Sequence, residues 1–281
     1  MNTTWARVAG ALWASTHPGP TLVVTALSFT LGIAVGLEPW RLAVLALAVF
    51  AGQVSVGISN DAIDVARDRA VSRTDKPLAR GDVSVRSAWV AAGAAVVVAL
   101  LLSALLGVGM LLAHALALAS AWAYNAGLKA AVWSVVPFLV SFGLLPSLAT
   151  LSAPSPAMAP LWASAAGAAL GAAVHLTNVL PDLADDARTG IRGLPHRLGA
   201  RVSAVVAVAA IMTGAVAVLV GPGASAPTAV AWVFFVAVAA VAAAALVLAL
   251  VRPPSRALFR LAMLAALLLA TQLVLTSARI T

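Results

Sequence analysis

Apolar residues run along this chain in long unbroken blocks rather than at alternate positions. The blocks cover about 20–37, 42–63, 88–107, 109–127, 132–151, 161–181, 202–220, 227–251 and 257–277. Each is close to the roughly 20 residues that an α-helix needs to cross a bilayer, so the pattern predicts nine spans. The every-second-residue alternation of a membrane β-barrel strand is absent. Gly and Pro mark breaks at Glu38-Pro39, Pro154 to Pro160, Gly221-Pro222-Gly223 and Pro253-Pro254. Two connections differ from the rest, DVARDRAVSRTDKPLARGDVSVR over 64–86 and DLADDARTGIRGLPHRLGAR over 182–201. Both are long, polar and charged. The expected architecture is an all-α polytopic membrane protein, with one transmembrane domain over 1–281 and these two segments as cap loops.

Composition agrees. The 281 residues are 63% hydrophobic and 9% charged, with a mean hydropathy of +1.05. A water-soluble domain carries about 45–50% apolar and about 25% charged residues, so a soluble fold is excluded. Cys is absent, which removes disulfides, thiolate metal sites and Cys nucleophiles. The opening MNTTWARVAGALWASTHPGP has one Arg and an apolar stretch broken by His17, Pro18 and Pro20. That is not the pattern of a cleaved signal peptide.

The net charge of +8 would suggest nucleic acid in a soluble protein. Here it sorts by topology. With the N-terminus inside, 15 of the 17 Lys and Arg residues fall in inside loops, and only Arg41 and Arg279 fall outside. This is the positive-inside pattern of a multi-pass cell-membrane protein. It places the N-terminus in the cytoplasm, puts the C-terminus on the opposite side and leaves no role for nucleic acid.

The acids carry the chemistry. Glu38 lies in an outside loop; the other eight are Asp61, Asp64, Asp68, Asp75, Asp82, Asp182, Asp185 and Asp186, all in or beside the two unusual segments. Asn60-Asp61-x-x-Asp64-x-x-x-Asp68 and Asn178-x-x-x-Asp182-x-x-Asp185-Asp186 share the spacing Asn-x-x-x-Asp-x-x-x-Asp. A helix turns about 100° per residue, so each cluster, if helical, aims its oxygens into one arc of about 100°. An intramembrane Asp costs about 2.5–3.5 kcal/mol on insertion scales, and like charges at i,i+4 repel. Mg²⁺ relieves both, since it takes oxygen ligands and bridges one or two carboxylates to substrate phosphates. Asp61, Asp64, Asp68, Asp182 and Asp186 are the candidate metal ligands, and Asp185 shares their arc. Asn60, Arg67, Arg73, Lys76, Arg80, Asn178, Arg188 and Arg192 are candidate diphosphate contacts. Asp75 and Asp82, beside Pro or Gly and ahead of the next helix, read as helix caps in a solvated loop.

The first cluster, continued by Asp75-Lys76-Pro77-Leu78-x-x-Gly81-x-x-Ser84, resembles the first signature of the UbiA superfamily of intramembrane prenyltransferases. Asp182-x-x-x-Asp186 resembles the second, and Tyr124-Asn125 with Lys129 resembles a recurring family segment. The likeness spans essentially the whole chain. It implies nine helices around a central cavity, with Mg²⁺ on the two Asp motifs binding a polyprenyl diphosphate. It also implies transfer of the prenyl group to an acceptor, often aromatic and quinone-precursor-like. Many members carry Arg-Pro where this chain has His17-Pro18, which puts the acceptor contact there in question.

Several alternatives stay open. Tyr124, Asn125 and Lys129 are candidate catalytic residues that touch diphosphate or acceptor or help remove a proton; equally, Tyr and Lys anchor span ends. His114 and His175 read first as satisfied bundle histidines, with His175 the better functional candidate, and His196 reads as loop structure. The Trp residues read mostly as interfacial belts. A membrane terpene cyclase would use the same Asp motifs with internal quenching of the cation, and a cation transporter would use them as an ion path. A lipid head-group transferase would need an Asp-Gly-x-x-Ala-Arg core, which is absent.

Overall fold

A computed structural model describes residues 2–223, 226–253 and 255–276. Arg279, Pro254 and the last position of the ninth apolar block lie outside the described residues. All regular structure among those described is helical. A short helix α1 (Asn2–Ser15) precedes the bundle, which comprises α2 (Pro18–Val35), α3 (Pro39–Ala70), α5 (Val85–Leu106), α6 (Val108–Ala126), α7 (Val136–Thr150), α8 (Leu161–Val179), α10 (Leu194–Val220), α11 (Ala229–Val251) and α12 (Arg256–Leu275). Two short helices, α4 (Pro77–Arg80) and α9 (Leu183–Arg188), lie in the predicted cap segments.

Eight helical segments are long and apolar enough to cross a membrane. The fifth expected span is instead the 15-residue α7. The start of its predicted block turns through Ala131 to Val135, and Pro137 sets the helix start. The first motif changes its span in the other direction. Helix α3 runs 32 residues, about 48 Å at 1.5 Å per residue, so its end stands clear of a hydrocarbon layer of about 30 Å.

Consecutive helices pack side by side around the bundle, and α12 closes the ring against α2 while also touching α8. Leu45, Leu148, Leu176, Ile211 and Leu269 are fully buried between them. Lipid tails are as apolar as Leu, so such helices associate through close packing at small residues. Gly167 and Gly171 of α8 show this: a Cβ there would overlap the carbonyls of Phe142 and Phe138 on α7. Gly57 of α3 receives the Thr16 carbonyl in the same way. The helix ends carrying Asp68, Lys129, Asp182 and Arg252 all emerge at one face of the bundle, because successive helices alternate in direction.

Candidate functional site

The first motif is helical throughout, and Asp61, Asp64 and Asp68 are buried, at 1%, 6% and 3% exposure. Each faces basic groups. Lys76 donates to Asp61 Oδ1, and His17 Nε2 lies 2.9 Å from the same oxygen. Lys129 donates to Asp64 Oδ1 and Arg67 to its Oδ2 at 2.8 Å. Arg67 also lies 4.0 Å from Asp68.

Local sequence explains how Lys76 reaches Asp61. Pro77 opens α4 at a position where its missing N–H costs nothing. Leu78, 1% exposed, anchors the turn in a small core with Ile58, Ala62 and Ala88. Gly81, at φ 84°, ends it in the left-handed region. The Lys-Pro-Leu-x-x-Gly string is thus a device for holding the ammonium over α3.

The second motif is not one regular helix. α8 stops at Val179, Leu180–Asp182 form a 3-10 turn, and α9 begins at Leu183. Pro181 has no N–H to continue the helical ladder. The uniform arc expected from Asn178 to Asp186 is therefore broken. Asp182 and Asp186 still face the first motif: Arg73 lies 3.4 Å from Asp182, and Arg67 lies 3.9 Å from Asp186. Asn178 is exposed and makes no side-chain hydrogen bond among the described residues, so it stands apart from the cluster.

The remaining candidates divide clearly. Arg67, Arg73, Lys76 and Lys129 sit among the carboxylates. Arg80 pairs with Asp82 at 2.5 Å and Arg188 with Asp185, both at the exposed rim. Arg192 is exposed, and Asn60 is half-buried. Asp75 and Asp82 are not helix caps: Ser84 caps α5, accepting from the Ser87 N–H at 3.0 Å. Asp75 instead accepts two 2.8 Å bonds from Arg73. These bonds hold the Asp75 carboxyl well below the usual carboxylate range and raise the Arg73 guanidinium in turn. Burial pulls the Lys129 ammonium below its ordinary value, against the attraction of Asp64.

Asn125 donates to the Val56 carbonyl at 2.9 Å and to Ser59 Oγ at 3.0 Å, tying α6 to α3 one turn before the first motif. Tyr124 lies edge-on to Phe138 and His175, at ring separations of 5.0 and 5.6 Å, and Phe138 stacks on Phe142. His114 Nδ1 lies 2.7 Å from Ser103 Oγ, and His175 Nε2 lies 3.1 Å from Ser134 Oγ, while its Nδ1 is buried without a partner among the described residues. Trp122 departs from the belt pattern by donating to Ser55 Oγ at 3.2 Å. Two further histidines meet the acids, His17 at the position where the resemblance sets Arg and His196 where the sequence suggested only loop structure. His17 meets Asp61, and His196 Nε2 lies 3.7 Å from Asp186 on the first turn of α10. The pairing of His17 depends on a 44-residue separation that no local spacing encodes.

The donor set is all oxygen, which suits a hard cation. Asp61 Oδ2 is buried without a hydrogen-bond partner, and Arg67 and Arg73 bridge the first motif to Asp186 and Asp182. Among the described residues no three acidic or His side chains converge into a ready-made ligand group; Arg67, Arg73, Lys76 and Lys129 stand between them. Beneath this face, Gln53, Val56, His114 and Phe142 help line a cavity of about 50 Å³.

Residues 8–276 match the model of the UbiA prenyltransferase family. Among solved structures, the chain is similar to a UbiA homologue from Aeropyrum pernix K1, with 20% identity over 90% of this chain and 97% of that one, at a TM-score of 0.75. A UbiA homologue from Archaeoglobus fulgidus, solved with GPP and Mg²⁺, gives 17% identity over 94% and 99%, at 0.64. A structure of digeranylgeranylglyceryl phosphate synthase gives 14% over 95% of both chains, at 0.62. No curated protein sequence matches the chain.

Proposed function

The chain belongs to the UbiA prenyltransferase family, and from that premise we propose that it moves a prenyl group from a polyprenyl diphosphate to an aromatic, quinone-precursor-like acceptor within the membrane. The observation that carries this reading is the opposition of two Asp-bearing helix ends with Arg67 and Arg73 between them. The homologue solved with GPP and Mg²⁺ supports it. Asp61, Asp64, Asp68, Asp182 and Asp186 would hold Mg²⁺. Bound there, the metal supplies charge neutralisation for the departing diphosphate, a contribution worth several kcal/mol.

The protein's own groups do the rest. Arg67, Arg73, Lys76 and Lys129 turn from carboxylate to phosphate oxygens and hold them by charge-assisted hydrogen bonds. The C–O bond to the prenyl carbon breaks with its electron pair leaving on diphosphate, and the apolar bundle keeps water from the allylic cation. The Tyr124, Phe138 and Phe142 rings offer π-faces to that cation and stacking surface to an aromatic acceptor. The acceptor carbon attacks and then loses its proton. With the charged face in the cytoplasm, as the distribution of bases favours, both soluble diphosphate and membrane-held chain can reach the site.

The test is an assay of purified protein with labelled prenyl diphosphates of several lengths against a panel of acceptors, with and without Mg²⁺. Mg²⁺-dependent product that requires an acceptor, and that Asp64→Ala abolishes, is expected. Product formed without acceptor would replace transfer by cyclisation, and full activity in Asp64→Ala would sink the metal assignment.

A further inference from the structure

A second cavity, of about 370 Å³, opens at the charged face beside the turn that carries Asp182. It lies between the end of α11 and the upper part of α10, over the start of α12. Arg201 and Arg252 line it, and Leu180, Ala204, Ala249 and Leu258 supply apolar wall. Of the 15 bases at this face, seven meet a carboxylate: Arg67, Arg73, Lys76, Arg80, Lys129, Arg188 and Arg256. Arg201 and Arg252 meet none among the described residues.

The backbone adds to their field. Gly199 leaves the helical region, with φ 76° and ψ 165°, a conformation open essentially to Gly alone. The helix therefore restarts at Ala200, which also lines the cavity. A helix start presents unsatisfied N–H groups and the positive end of its dipole, a combination that favours anions. Two guanidiniums, a helix start and an apolar wall at the membrane surface together match one ligand chemistry.

We propose that this cavity binds the phosphate of an anionic phospholipid, with the guanidiniums on the headgroup and the acyl chains along Ala204, Ala249 and Leu258. Basic pockets between transmembrane helices recognise lipid headgroups in this way. The inference is independent of the reaction proposed above, since none of its residues is assigned to metal, diphosphate or acceptor. Leu180 connects the two regions: it lines this cavity and forms the 3-10 turn that presents Asp182. An occupied cavity therefore steadies the second motif.

The full chain, purified in neutral detergent, is titrated with phosphatidylglycerol, with phosphatidylcholine and with inorganic phosphate. Binding is read by native mass spectrometry and by the shift in unfolding midpoint. Phosphatidylglycerol should bind at least fivefold more tightly than phosphatidylcholine. R201Q/R252Q should lose that preference, while R7Q/R86Q, which changes two exposed bases on α1 and α5, helices that do not line the cavity, should keep it. Equal binding of the two lipids, or equal loss in both double variants, overturns the site. An equal stabilisation by inorganic phosphate overturns the lipid and leaves a free-anion site.

Discussion

His17 Nε2 lies 2.9 Å from Asp61 Oδ1, and His17 reaches it from the left-handed region at φ 55° and ψ 70°. The next residue is Pro18, which pushes its predecessor toward extended backbone. A non-Gly residue held there costs on the order of 1–3 kcal/mol. The strained turn is retained with its imidazole aimed at a buried metal-ligand candidate. His17→Ala should lower kcat/KM by about 10–100-fold, the equivalent of the ~1.5–3 kcal/mol of a hydrogen bond to a charged group. His17→Gly suits the backbone better but also lacks the ring. If its kcat/KM stays at the wild-type value, the imidazole has no positioning role.

Lys129 holds Asp64 where Mg²⁺ is proposed to bind. Lys129→Met removes a buried charge partner and leaves Asp64 with Arg67 alone. The metal-free protein should lose about 1.5–3 kcal/mol of stability, and Mg²⁺ should restore more of it than it adds to the wild type. Unfolding midpoints with and without Mg²⁺ measure both quantities. An identical Mg²⁺ shift in the two proteins would remove Asp64 from the metal set.

Arg73 is oriented by two bonds to Asp75 and leans on Asp182. Asp75→Asn should release the guanidinium and raise KM for the prenyl diphosphate by about three- to tenfold, a cost of ~1 kcal/mol or slightly more, with kcat little changed. The folded Asp75 carboxyl titrates below its unfolded value of about 3.9. Its contribution is therefore complete above that pH and lost as pH falls through the lower folded value. The Asp75→Asn effect on KM should thus be flat from pH 6 to 8. A KM ratio that varies across this window would assign the effect to another group.

The charge pattern made the bundle and the first motif legible, because a long apolar run and an Asp at every turn each have one low-cost helical solution. What stayed hidden depends on breaks and distant contacts. Pro181 was plain in the sequence, yet whether it ends a helix or bends one is decided by packing around Leu180. Asp75 and Asp82 looked like caps because composition marks a turn, whereas the choice between backbone N–H and a neighbouring Arg is settled by geometry. Asn178 copies the spacing of Asn60, but the 3-10 turn after α8 leaves it exposed. His17 reaches Asp61 through the packing of α2 on α3, and His196 reaches Asp186 across the turn between α9 and α10.

The packing of α7 on α8 depends on small residues. A side chain at Gly171 would overlap the Phe138 carbonyl, and Phe138 packs on Tyr124 and His175. Gly171→Leu should push α7 from α8, cost about 1–3 kcal/mol or more and lower both the unfolding midpoint and kcat. Gly143 provides the control on the facing helix. A Cβ there meets Ala168 and the Ser164 carbonyl at an ordinary 3.5 Å, and Ala gains about 0.5–1 kcal/mol over Gly inside a helix. Gly143→Ala should leave the midpoint unchanged or raise it. If the two substitutions lower it equally, the α7–α8 contact is looser than the Gly171 approach requires.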